Sequence, residues 1–202
     1  MIIEAQYFPS IKYIAAINAH QEIIIEAYEH FEKQSYRNRC TIETSNGNEQ
    51  MIVPIIDGTK KIIMKDARID YSHEWSRRHC RAIQTAYGRS PFFEYYAEPI
   101  FELINKKMTF LLDLNLEILS FCLKNLKINK PISLSENYQK TVIDDLRNSI
   151  HPKKTNEKLN FYSPKPYRHN FSVDFIENLS VIDLLFCQGP KAKEIIDLST
   201  VK

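Results

Sequence analysis

Glycine is scarce, at four in 202 residues, and the scarcity excludes whole classes of site. Neither phosphate-cradling pattern, G-x-x-x-x-G-K-[ST] or G-x-G-x-x-G, occurs, and the G-x-S-x-G nucleophile elbow is missing as well. Cysteine is sparse too. Cys40, Cys80, Cys122 and Cys187 stand far apart, with no C-x-x-C pair to suggest a redox couple or a zinc knuckle. No apolar run reaches the ~18 residues of a spanning helix, so no membrane insertion is expected. No basic and apolar leader opens the chain, and the thiols are therefore expected to be reduced in a cytoplasmic protein. Charge of one sign is also lacking. The formal net charge of +2 is too small for gripping a phosphate backbone, so nucleic acid is not expected as a partner.

The remaining composition, 44% hydrophobic and 26% charged, suits one globular domain over 1–202 with a real core. Ile2 to Ala5 reads as a strand, Pro9-Ser10 opens a helix carrying Ile11, Ile14, Ala15 and Ala19, and Glu22 to Glu26 reads as a strand buried on both faces. That is a βαβ start. Cys40 to Glu43 and Gln50 to Val53 flank Ser45-Asn46-Gly47-Asn48, a strong hairpin signal. Further short strands are expected over Lys61 to Lys65 and Ala67 to Tyr71.

From Glu74 to Tyr87 the period becomes helical. Trp75, His79, Ala82, Ile83 and Ala86 fall on one stripe, with Gly88 placed to end the helix. Pro99 is expected to begin another helix, Thr109 to Leu126 a central one apolar nearly all round, and Thr141 to Ile150 a short one. The stretch 151–170 mixes proline, lysine and aromatics and reads as an ordered loop or lid. Asn178 is placed to cap a helix over Leu179 to Phe186, and Gly189-Pro190 to stop it and start another at Lys191. The fold class is α/β: a Rossmann-like N-terminal βαβ start, a β-hairpin insertion, and a mainly helical C-terminal half.

Polar groups crowd most densely from Glu32 to Cys40, between a strand and the hairpin. Lys33, Arg37, Asn38 and Arg39 would suit an anionic or multi-oxygen ligand, since guanidinium forks match carboxylate and phosphate. The alternative is a solvated turn paired with Glu29, Glu32 and Glu43. His79, on the apolar stripe, is either a core histidine held by hydrogen bonds or a pocket acid or base. Cys40 is either a nucleophile lowered by Arg39 or a small apolar residue entering the hairpin. His73 and His79 are six residues apart, so on a helix their rings would lie ~120° from each other. No metal and no cofactor are expected.

In order along the chain, several segments resemble the WbqC-like protein family. They are Gln6-Tyr7-Phe8-Pro9, Glu26 to Arg39, Asn46-Gly47 through Val53-Pro54, Trp75 to Ile83, and Ala86-Tyr87 through Phe92-Phe93. Leu112 to Asn115, Asp145-Leu146-Arg147 with His151-Pro152-Lys153, and Leu179 to Phe186 with Gly189-Pro190 continue the likeness, which looks closest to Bacteroidetes-type members. Three positions depart from it: Ala5 where members commonly have histidine, Lys12 where a glycine is frequent, and His169 where glutamine is usual. The resemblance implies a role in O-antigen or other surface-polysaccharide biosynthesis, with acyl or aminoacyl transfer to an amino sugar or sugar nucleotide.

On that reading Gln6, Lys33, Arg37, Asn38, Arg39 and Tyr87 bind a small anionic or sugar-nucleotide ligand, and His79 or Glu29 moves the proton. The alternatives are nucleotidyl or adenylyl transfer, suggested by the βαβ start, and a non-catalytic binding or assembly protein.

Overall fold

The structure is a computed structural model describing residues 1–153 and 159–201; residues 154–158 of the expected loop or lid lie outside it. Its architecture is α/β. Strand β1 (Ile2–Glu4), helix α1 (Ile11–Ala19) and strand β2 (Ile23–Glu26) form the βαβ start, with β1 and β2 parallel in the register Ile2–Ile24, Ile3–Ile25, Glu4–Glu26. Ser10 caps α1, its side chain accepting the Tyr13 N–H, and the helix buries every residue from Ile11 to Ile17. Ile24 is 36% exposed, so β2 is covered on one face rather than both.

The hairpin is β3 (Arg39–Thr44) with β4 (Gly47–Ile52), pairing Thr41 with Gln50 and Thr44 with Gly47. The tight turn is therefore Ser45-Asn46. Gly47 follows it at φ 103°, a conformation that L side chains adopt with strain.

Helices α2 (Trp75–Tyr87), α3 (Phe93–Asn105) and α4 (Leu111–Asn125) follow, and α5 (Val181–Gln188) and α6 (Ala192–Ser199) end the chain. Trp75, His79, Ile83 and Ala86 of α2 are buried, as their spacing requires. Pro99 does not begin α3 but lies inside it. Its missing N–H leaves the carbonyl of Tyr95 without a helical partner; Tyr95 is 70% exposed, on a face where water can serve.

No strand forms over Lys61 to Lys65 or Ala67 to Tyr71. A 3-10 turn spans Met64–Asp66 instead, and the Met64 and Lys65 N–H groups are taken by the carbonyls of Glu29 and Ala27. Thr141 to Ile150 is not helical either. Asp145 bridges Ile2, and the neighbouring backbone pairs with β1 on its free side. An unforeseen third strand, β5 (Ile132–Leu134), pairs parallel with β2, giving the order β1-β2-β5. Ser180 rather than Asn178 caps α5. No helix among the described residues is long and apolar enough to cross a membrane.

Candidate functional site

The first two parallel strands end in acids. Glu4 closes β1 and Glu26 closes β2, side by side and both buried, at the carboxyl edge where open α/β sheets take ligands. Two buried carboxylates in contact range need partners. Glu4 accepts from Gln6 Nε2 at 2.9 Å and from the Asn148 N–H at 3.0 Å. Glu26 accepts from Arg147 Nη1 at 2.9 Å and Ser135 Oγ at 2.6 Å.

Glu29, just beyond β2, meets Arg37 in a two-pronged pair. Arg37 Nε donates to Oε1 at 2.7 Å and Nη2 to Oε2 at 2.6 Å, while Nη2 also donates to Asn148 Oδ1 at 2.8 Å. The Arg37 side chain is 1% exposed. Burial pushes the Glu29 carboxyl up to about 7; Arg37 pulls it down, and Glu4 and Glu26 add to the rise. Burial also works against the Arg37 charge, but its bonds to Glu29 and the carboxylates of Glu4, Glu29 and Glu32 outweigh that and raise it. The short bidentate geometry is that of an ionised pair, because only the carboxylate accepts both N–H groups. Gln6, Glu29 and Arg37 thus share one network.

In front of this network lies a cleft of about 290 Å³ lined by Lys12, Tyr36, Thr41, Gln50, His151 and Asn178, among others. Tyr36 precedes Arg37 and Ser149, also in the lining, follows Asn148, so the network backs directly onto the cleft wall. The hairpin supplies Thr41 and Gln50 as a cross-strand pair. Arg39 Nη1 donates to Gln50 Oε1 at 2.8 Å, which sets this guanidinium beside the rim. Lys12 pairs with Glu177 at 2.9 Å and sits over the Tyr162 ring, and its backbone N–H donates to Asn178 Oδ1 at 3.0 Å.

The other expected residues go elsewhere. Lys33 is exposed. Asn38 turns away and donates to the Val53 carbonyl at 2.8 Å, holding the exit of β4. His79 packs on the far side of Tyr7, Nδ1 2.8 Å from its hydroxyl, with the Trp75 ring 5.1 Å away. His73 precedes α2 and is exposed. Cys40 is buried on the inward side of β3, and burial pushes its thiol up, which removes the nucleophile reading.

Burial holds His79 down near about 4, with a backbone contact to Ile52 acting the other way. Its folded value lies below the unfolded one, so the unfolded chain takes up the proton first. Stability should be full above pH 6.5 and fall as pH drops from 6.5 toward 4, by up to about 3 kcal/mol at ~1.4 kcal/mol per unit. Urea unfolding of wild type and His79→Gln at pH 7.5, 5.5 and 4.5 checks this, since the variant should lose that part of the slope.

Residues 4–151 match the WbqC-like protein family. The chain belongs to that family. The matched span holds Glu4, Gln6, Glu29, Arg37, Arg147 and His151, and so the network and most of the cleft. An uncharacterized protein of Mycobacterium tuberculosis is 28% identical over 142 residues, covering 68% of this chain. The aligned region covers 60% of that relative, so this WbqC-like chain spans less than two thirds of its length. No solved structure matches the chain.

A second buried network of the WbqC-like protein involves residues beyond the matched span. Asp183, on α5, accepts from Tyr87 Oη at 2.9 Å, Tyr167 Oη at 2.8 Å and His169 Nδ1 at 3.1 Å. His169 Nε2 accepts from the Ile176 N–H at 3.0 Å, which assigns the ring proton to Nδ1. Glu43 accepts the Phe171 and Ser172 N–H groups. The donor atoms of Glu43, His169 and Asp183 lie within 4.8 Å of one another, close enough to share a cation, yet each is already spent on a hydrogen bond. Their evident work is to fasten the segment around 167–176 to α5 and the hairpin. Tyr87 belongs to this network and not to the cleft.

Sequence reasoning passed over Glu4, Glu26, Arg147 and Asn148. A strand ending in glutamate twice, at Glu4 and Glu26, was the available signal.

Proposed function

We propose that this WbqC-like protein is a cytoplasmic, single-domain transferase that holds a sugar or sugar nucleotide in the cleft. The reaction proposed is acyl or aminoacyl transfer in surface-polysaccharide assembly. One observation carries the reading: neutral amide and hydroxyl groups (Tyr36, Thr41, Asn48, Gln50, Ser149, Asn178) outnumber the charged groups of the lining, in front of a charged network at the strand ends. Such a lining answers a ring of hydroxyl groups better than a dense cluster of phosphates. Arg39 at the rim supplies a fork for a phosphate or carboxylate, and the cleft volume suits one sugar ring and its attachment. The parallel β1–β2 edge also keeps open the adenylyl-transfer reading, for which ATP–pyrophosphate exchange with candidate acids is the check.

Isothermal titration of UDP-sugars tests the main reading. Gln50→Ala and Tyr36→Phe each remove one hydrogen-bonding group from the wall and should weaken binding about 5- to 10-fold, with thermal midpoints little changed. Absence of binding by every sugar nucleotide tried, or unaltered affinity in both variants, would sink the proposal.

A further inference from the structure

One group in the cleft has its hydrogen-bonding capacity unmet. His151 Nδ1 accepts the Lys153 N–H at 3.1 Å, so the ring proton of the neutral imidazole stands on Nε2. That Nε2 is buried and has no hydrogen-bond partner among the described residues, and the side chain is only 10% exposed. Burial, the largest influence, lowers the His151 pKa, which favours the neutral ring. A buried donor left unpaired costs about 1–3 kcal/mol.

Across from it stands Glu32 Oε1 at 3.7 Å, beyond hydrogen-bond length. The other Glu32 oxygen faces Arg37 Nη1 at 3.6 Å. The pair therefore offers a donor and an acceptor 3.7 Å apart and not satisfied by each other. A hydroxyl is the group that accepts from one and donates to the other. Two hydrogen bonds of ~2.8 Å about a tetrahedral oxygen span about 4.6 Å. Glu32, with its side chain 50% exposed, needs to swing by less than ~1 Å to reach that spacing.

We infer that His151 and Glu32 form the subsite that recognises one hydroxyl of the bound sugar, with His151 Nε2–H donating to its oxygen and Glu32 accepting its proton. Arg37 is a positioning residue here, since it holds the Glu32 carboxylate and does not touch the ligand. The inference rests on the reading of the cleft as a sugar site and deepens it by naming the contact that sets specificity. It also moves the polar centre of the site from His79, buried beside Tyr7, to a histidine on the cleft wall.

The test uses a panel of UDP-sugars and, alongside them, UDP without a sugar. Affinity is measured for wild type, His151→Leu, His151→Gln and Glu32→Gln. His151→Leu and Glu32→Gln should each lose about 10-fold for the sugar nucleotide that wild type binds. His151→Gln, which keeps an N–H near the same place, should stay within about 3-fold. UDP alone should bind all four proteins equally, placing the loss on the sugar. If His151→Leu and Glu32→Gln bind the sugar nucleotide like wild type, or lose UDP in equal measure, the subsite is overturned while the cleft reading stands. If wild type binds no member of the panel, both fall together.

Discussion

Replacing Arg37 with methionine should lower the unfolding free energy at pH 8 by about 3–5 kcal/mol, the usual cost of stripping one partner from a buried ion pair. The guanidinium is almost wholly buried and satisfies both oxygens of Glu29 and the side chain of Asn148. Without it, Glu29 keeps company with Glu4 and Glu26, which already push it upward. Its carboxyl would then rise further above about 7. A raised carboxyl contributes stability that is present at low pH and lost as pH climbs through the folded value. The penalty should therefore shrink toward pH 5, where native Glu29 is protonated. Urea unfolding followed through Trp75, the single tryptophan and a buried one, reads both effects. Adding Glu29→Gln to Arg37→Met should recover part of the loss, because no charge is then left unpaired. A penalty below 1 kcal/mol, or one independent of pH, would show that the pair does not carry this corner of the fold.

The second large effect is expected at Asp183, on α5. Asp183→Ala leaves the hydroxyls of Tyr87 and Tyr167 and the Nδ1–H of His169 without their acceptor. At roughly 1–3 kcal/mol for a buried unpaired donor, and allowing for relaxation, the loss should be about 3–4 kcal/mol. Tyr87→Phe removes one donor and leaves Asp183 two others, so about 1 kcal/mol is expected. The change should also free the chain around Tyr167 to Phe175, giving new cleavage there under limited proteolysis. If the network instead held a cation, added EDTA would reproduce the loss in wild type. On the hydrogen-bond accounting EDTA should do nothing.

Arg37 and Asn38 show why the site was only partly legible. In sequence they are neighbours in one polar run, and composition gives both the same meaning. The chain turns at Arg37 and bends at Asn38 before β3 begins, so Arg37 enters the network at the ends of β1 and β2 while Asn38 braces the strand leaving the hairpin. His79 was placed correctly on the buried stripe of α2. The stripe alone did not tell which element it would pack against, and the answer is Tyr7, 72 residues earlier.

What the chain reveals by itself is its local grammar. Ser10 opens α1, the Ser45-Asn46-Gly47 stretch marks the hairpin turn, the spacing from Trp75 to Ala86 makes one buried helix face, and Gly189-Pro190 ends α5. Each follows from residues within a few turns or one hairpin of one another, where steric and hydrogen-bonding preferences act directly. The tertiary structure alone decides the rest. Glu4 finds the backbone of Asn148 across 144 positions, and Glu26 finds Arg147 across 121. The exposed strand β5 forms only because β2 offers it a free edge. Buried charges must be paired wherever the fold brings them, and no local pattern says which distant group will arrive.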